Sequence, residues 1–88
     1  MDASPPKSAP MGRLDAFDVG ARKLTVQTEF FPRPTWRLET KVYLGGELKK
    51  TYREDMTGVD DGLLQKRLDD YHNVRIKELV EGLKKVKS

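Results

Sequence analysis

The chain has 88 residues, 36% apolar and 35% charged, which permits one small domain and no more. A formal net charge of +3, from 17 basic and 14 acidic residues, admits an anionic partner without demanding one. With no cysteine there is no disulfide framework and no thiolate metal site. No apolar run approaches the ~18 residues of a membrane span or forms a signal-peptide core, so the expectation is a soluble, cytoplasmic protein.

The first element in chain order is a tail, residues 1–20. Its opening Met-Asp-Ala-Ser-Pro-Pro-Lys-Ser-Ala-Pro buries too little apolar surface to offset the entropy of ordering, which predicts disorder. Leu14, Phe17 and Val19 follow as a short stretch touching the domain edge. The domain proper is expected over residues 21–88.

Three strands are predicted next. Lys23 to Phe31 sets Leu24, Val26, Thr28 and Phe30 on one face, and Pro32 and Pro34 then interrupt pairing because proline has no N–H to give a ladder. Trp36 to Leu44 alternates for nine positions, with Trp36, Leu38, Thr40, Val42 and Leu44 on one face. Gly45-Gly46 marks a hairpin turn, and Glu47 to Arg53 follows with Leu48 and Tyr52. Keeping apolar residues together sets the expected register, since a one-residue slip moves every side chain to the other face. That criterion pairs Phe30 with Trp36, Leu24 with Val42 and Glu29 with Arg37. Across a three-residue loop with Gly46 in the left-handed region, it pairs Val42 with Leu48 and Leu38 with Tyr52. The resulting core face is Leu24, Val26, Phe30, Trp36, Leu38, Val42, Leu48 and Tyr52.

A long helix closes the chain. Asp60 suits the N-cap, and Val59 with Leu64 satisfies the hydrophobic staple. Leu64, Leu68, His72, Ile76, Leu79, Leu83 and Val86 fall within one stripe, and Arg75 intrudes on it. The fold class is therefore α+β: a three-stranded antiparallel meander followed by one long C-terminal helix, β-β-β-α, with a disordered N-terminal tail. About 26 helical residues span roughly 39 Å, whereas a strand of about seven residues covers only ~23 Å. The overhang then packs on a second copy, packs on another protein, or is removed by a break near Asn73 or Gly82.

The residues offer little for catalysis. His72 is the only histidine and lies in the apolar stripe, with no second His or Cys to share a metal. The acidic stretch from Glu54 to Asp61 lacks the carboxylate spacing of a calcium loop, and Gly45-Gly46 lacks the helix of a phosphate loop. No catalytic, cofactor-binding or metal residue is assigned. The expected function is a non-catalytic protein–protein assembly module. It homodimerises through Leu68, His72, Arg75, Ile76, Leu79, Leu83 and Val86 of the helix. It docks a protein partner through its sheet edge, its tail, or a stiff loop presenting Phe31, Arg33 and Trp36. The alternative is a small nucleic-acid-binding protein using Lys23, Arg37, Lys41, Lys49 and Arg53 on the outer sheet face. There the expected register sets Lys41 against Lys49 and Arg37 against Arg53, pairs that need an anion between them.

Overall fold

A computed structural model describes residues 6–86, with side chains of the C-terminal helix described as far as Gly82. Four strands, β1 (Arg13–Val19), β2 (Arg22–Phe31), β3 (Arg37–Leu44) and β4 (Glu47–Asp55), precede a 3₁₀ turn (Asp61–Leu63) and a helix, α1 (Leu64–Val86). The strands form one antiparallel sheet in the order β1-β2-β3-β4. The class is α+β as expected, but the meander has four strands, not three.

The extra strand lies in the segment assigned to the disordered tail. β1 pairs with β2 from Arg13 opposite Thr28 to Val19 opposite Arg22. It joins β2 through Gly20 and Ala21, with Gly20 at φ +62°, a conformation that costs glycine little. The residues before β1 are also fastened: the Lys7 and Met11 amides donate to Asp61 Oδ2 and Gln65 Oε1 at 2.9 and 2.8 Å.

The β2–β3 hairpin has the expected face but a register two residues away. Leu24 lies opposite Leu44, Val26 opposite Val42 and Phe30 opposite Leu38, so Trp36 falls just before the strand. A shift of two preserves the parity of every side chain, so both registers bury the same set. At the second hairpin, Gly45 and Gly46 both have positive φ, the requirement of a two-residue type I′ turn. Tyr43 therefore faces Leu48, and the irregularity sits inside the ladder instead, where Val42 meets Lys50 and Lys49 is the extra residue. Leu48, expected in the core, lies on the outer face and is 50% exposed. Beyond the bulge Tyr52 returns to the helix side opposite Thr40.

The helix lies over β2 and β3. Leu38, Met56, Leu64 and Leu68 form the buried cluster, flanked by Phe30, Trp36, Val59 and Tyr71. Val59 thus supports the first turn as the staple requires, while Asp60 adopts the extended cap backbone without a side-chain cap hydrogen bond. α1 is continuous through Asn73 and Gly82. Its 23 residues span about 34 Å at ~1.5 Å each, and the 10 residues of β2 span about 33 Å. The expected mismatch of rod and platform is absent because β2 is longer than the strand assumed. No described helix is long and apolar enough to cross a membrane.

Candidate interaction surface

Among the described residues, one arrangement in the polar interior resembles a catalytic set. His72 is fully buried, and so are Thr28 and Thr40. Its Nε2 lies 2.7 Å from Asp15 Oδ2 and its Nδ1 lies 2.7 Å from Thr28 Oγ1, which in turn lies 2.7 Å from Thr40 Oγ1. A carboxylate only accepts, so the proton sits on Nε2. With a neutral imidazole, Nδ1 accepts from the Thr28 hydroxyl, which in turn accepts from that of Thr40. Carboxylate, imidazole and hydroxyl are in series as in a nucleophilic triad, but a nucleophile must reach its substrate and the Thr28 side chain is sealed beneath the helix. The chain of bonds instead ties β1, β2 and β3 to α1, satisfying polar groups that would be costly alone.

The same contacts explain how β1 is held. No β1 residue is buried. Arg13 reaches α1 through Nη1 to Asp69 Oδ1 at 3.2 Å and Nη2 to Asn73 Oδ1 at 3.5 Å. With the contacts at Asp61 and Gln65, the bonded helix positions recur every four residues, which places them on one flank of the helix. Residues 7–15 of the chain's own N-terminal segment therefore cover that flank.

Among the described residues, none covers the opposite flank in this way. Leu63 and Val74 are 44% and 46% exposed. Between this flank and β4 lies a concavity of about 370 Å³, with Met56, Tyr71 and Val74 as its apolar part and Arg67, Arg75, Glu54 and Asp70 as its charged part. β4 ends the sheet, so its outward backbone groups have no ladder partner among the described residues. The Arg75 guanidinium stacks between Tyr52 and Tyr71, 4.8 and 5.1 Å from the ring centres, an arrangement that stabilises an arginine inside an apolar stripe. Its contact with Glu78 is loose, a single Nη2 hydrogen bond of 3.4 Å, and its buried Nε–H has no hydrogen-bond acceptor although Glu78 Oε1 lies 3.3 Å away. Lys50 sits over the other side of Tyr52 at 4.9 Å. Burial pushes the Tyr71 phenol above its ordinary value, partly opposed by the Arg75 charge.

The sequence-predicted sites are dispersed by this arrangement. Of the helix face, Leu68 and His72 are covered by the chain's own sheet. Arg75, Ile76 and Leu79 are half-buried. The side chains of Leu83 and Val86 lie outside the described residues. In the partner loop Phe31 lies under the Arg37 guanidinium at 4.9 Å, and Trp36 packs edge-on against Phe30 while its carbonyl accepts from Met56 N. Arg33 remains exposed, and its carbonyl accepts from Arg37.

The outer basic face is also altered by the bulge. Arg37 faces Asp55, and Arg53 faces Glu39, so the like-charge pairs expected there do not form. Glu39, only 8% exposed, accepts from Arg37 Nε at 2.7 Å and Arg53 Nε at 3.3 Å, and the Arg37 hydrogen bond holds its carboxyl below the ordinary value against the effect of burial. Lys49 pairs with Glu47 at 2.6 Å and Lys41 lies opposite Thr51. Lys23 lies opposite Asp18.

Sequence reasoning missed the flank beside β4. Its signal was present as Leu63, Arg67 and Val74, a second set of helical neighbours beside the main stripe. No family model matches the chain, and neither the curated proteins nor the solved structures compared with it give a match.

Proposed function

We propose that this protein is a non-catalytic interaction module that presents the β4 edge and the adjoining flank of α1 to a polypeptide partner. One observation carries the reading: the two flanks of the same helix are treated differently. The chain lays its own extended segment along one flank. The other keeps exposed apolar side chains beside the open edge of β4, a combination that isolated soluble domains generally cover or blunt. The triad-like set argues for architecture, since its hydroxyl is buried, and three of the five outer-face cations are engaged by carboxylates of the chain itself.

Site-specific photo-crosslinking in the producing cell tests this. A photoreactive phenylalanine at Val74 is expected to give a discrete polypeptide adduct, while the same group at Lys23, on the outer face, gives none. Light scattering then reports whether the occupant is a second copy. Adducts from position 74 no more discrete than those from position 23 overturn the proposal.

A further inference from the structure

The chain itself demonstrates how an extended segment is accommodated in this fold. Residues 13–19 pair with β2 at one side of the sheet, and residues 7–13 place a backbone amide or a cation against acceptors on the neighbouring helix flank: Lys7 N on Asp61, Met11 N on Gln65, Arg13 on Asp69 and Asn73. That flank is a row of acceptors, and the segment that covers it brings donors. The flank beside β4 carries both signs of charge, but its unpaired groups are mainly cations. Arg67 is exposed and makes no hydrogen bond or ion pair among the described residues. Lys50 contacts the Tyr52 ring and no carboxylate. Arg75 is ion-paired with Glu78, through Nη2 at 3.4 Å and through Nε at 3.3 Å without hydrogen-bond geometry. Of the nearby acids, Asp70 is paired with Lys66 at 2.8 Å and Glu78 with Arg75, which leaves the Glu54 carboxylate against two cations, Arg67 and Lys50.

From these observations we infer that the groove between β4 and α1 binds an extended acidic segment of another protein, which adds as a fifth antiparallel or parallel strand on β4. Main-chain hydrogen bonds to the β4 edge supply the attachment, and alternate side chains enter the groove. Apolar ones meet Tyr71, Val74 and Met56, and acidic ones meet Arg67 and Lys50. Lysines on an exposed edge discourage self-pairing between copies, and they favour an incoming strand of opposite charge. The inference rests on the interaction-module reading and deepens it by naming the class of partner.

The test uses the full chain and two fluorescent peptides that alternate threonine with valine and glutamate, or threonine with valine and lysine, read by fluorescence anisotropy. The acidic peptide is expected to bind about tenfold or more tightly than the lysine peptide, a difference of one decade in Kd. Its affinity is expected to fall several-fold between about 0.05 and 0.5 M salt as the groove charges are screened. N-methylation of alternate peptide amides is expected to abolish binding, which distinguishes strand addition from adsorption to charge. Arg67→Gln, at an exposed position that leaves the Tyr52–Arg75–Tyr71 stack intact, is expected to weaken the acidic peptide at least about threefold with unchanged circular dichroism. Equal binding of the two peptides, indifference to N-methylation, or no binding of the acidic peptide up to about 1 mM overturns the inference. Discrete crosslinks from position 74 alongside any of those results leave the module standing and remove only the acidic strand.

Discussion

His72 Nε2 and Asp15 Oδ2 stand 2.7 Å apart, joining the middle of the helix to a strand 57 residues earlier in the chain. The imidazole is fully buried, so removing either partner leaves a polar group without its bond. Asp15→Asn retains an acceptor for Nε2–H and is expected to cost less than about 1 kcal/mol, whereas Asp15→Ala and His72→Leu are each expected to cost about 1–3 kcal/mol. Urea denaturation gives the ranking. His72→Leu as stable as the parent would show that the buried chain of hydroxyls and imidazole contributes nothing net.

The same contact predicts what the N-terminal segment does for stability. A dispensable tail can be removed without consequence. Here, removing residues 1–20 takes away β1, exposes the β2 edge and removes Asp15 from His72 Nε2 and Arg13 from Asp69. The expected loss is more than about 2 kcal/mol, since at least one buried hydrogen bond is broken one-sidedly. Hydrogen exchange provides a second readout: amides of β2 that pair with β1 should lose protection by more than those of β3. Unchanged stability would return residues 13–19 to the status of a tail.

Glu39 gives a pH dependence with a defined sign. Its folded-state carboxyl titrates below the ordinary 4.5, first because Arg37 donates to it and then because Arg53 does. A depressed carboxylate contributes stability that is complete above the unfolded value and is lost as pH falls through the folded one. Thermal melts taken from above 4.5 downward should therefore show a steeper loss for the parent than for Glu39→Gln. Glu39→Gln should itself be less stable at neutral pH, where it leaves two guanidinium groups facing each other. Parallel pH profiles for the two proteins would place the acid sensitivity elsewhere.

The parts of this fold that were legible in the sequence are those in which an apolar period reports burial. β2 and β3 alternate cleanly because their helix-facing residues are Leu24, Val26, Leu38 and Val42, and the helix was located by Leu64 and Leu68 for the same reason. β1 was not legible, because its inward positions include Arg13 and Asp15, which are held by hydrogen bonds and give no hydrophobic alternation. A signal did exist. Asp61, Gln65, Asp69 and Asn73 recur at four-residue spacing beside the apolar stripe, and His72 stands inside it, so that side of the helix needed polar partners from somewhere. Leu48 misled the register of the second hairpin because it is apolar and yet faces outward, and pairing by hydrophobicity alone pulled it into the core.

The bulge that overturned that register can be isolated by deletion. Lys49 is the extra residue between Tyr43–Leu48 and Val42–Lys50, and removing it leaves a two-residue turn feeding a regular ladder. Every later pair is retained in that ladder, with Tyr52 opposite Thr40 and Arg53 opposite Glu39, because the deletion shortens only the strand that carries the excess. The Lys49 deletion is therefore expected to fold and to keep the acid sensitivity assigned to Glu39. Its stability should change by less than about 1 kcal/mol, the scale of a surface substitution plus one altered turn. An uninterrupted three-residue loop predicts otherwise: deletion then flips every side chain from Lys50 onward to the opposite face, removes Tyr52 from Arg75 and unfolds the second hairpin. Circular dichroism, a urea midpoint and the pH profile of the deletion variant distinguish the two. Loss of the cooperative transition would refute the two-residue turn with its bulge at Lys49.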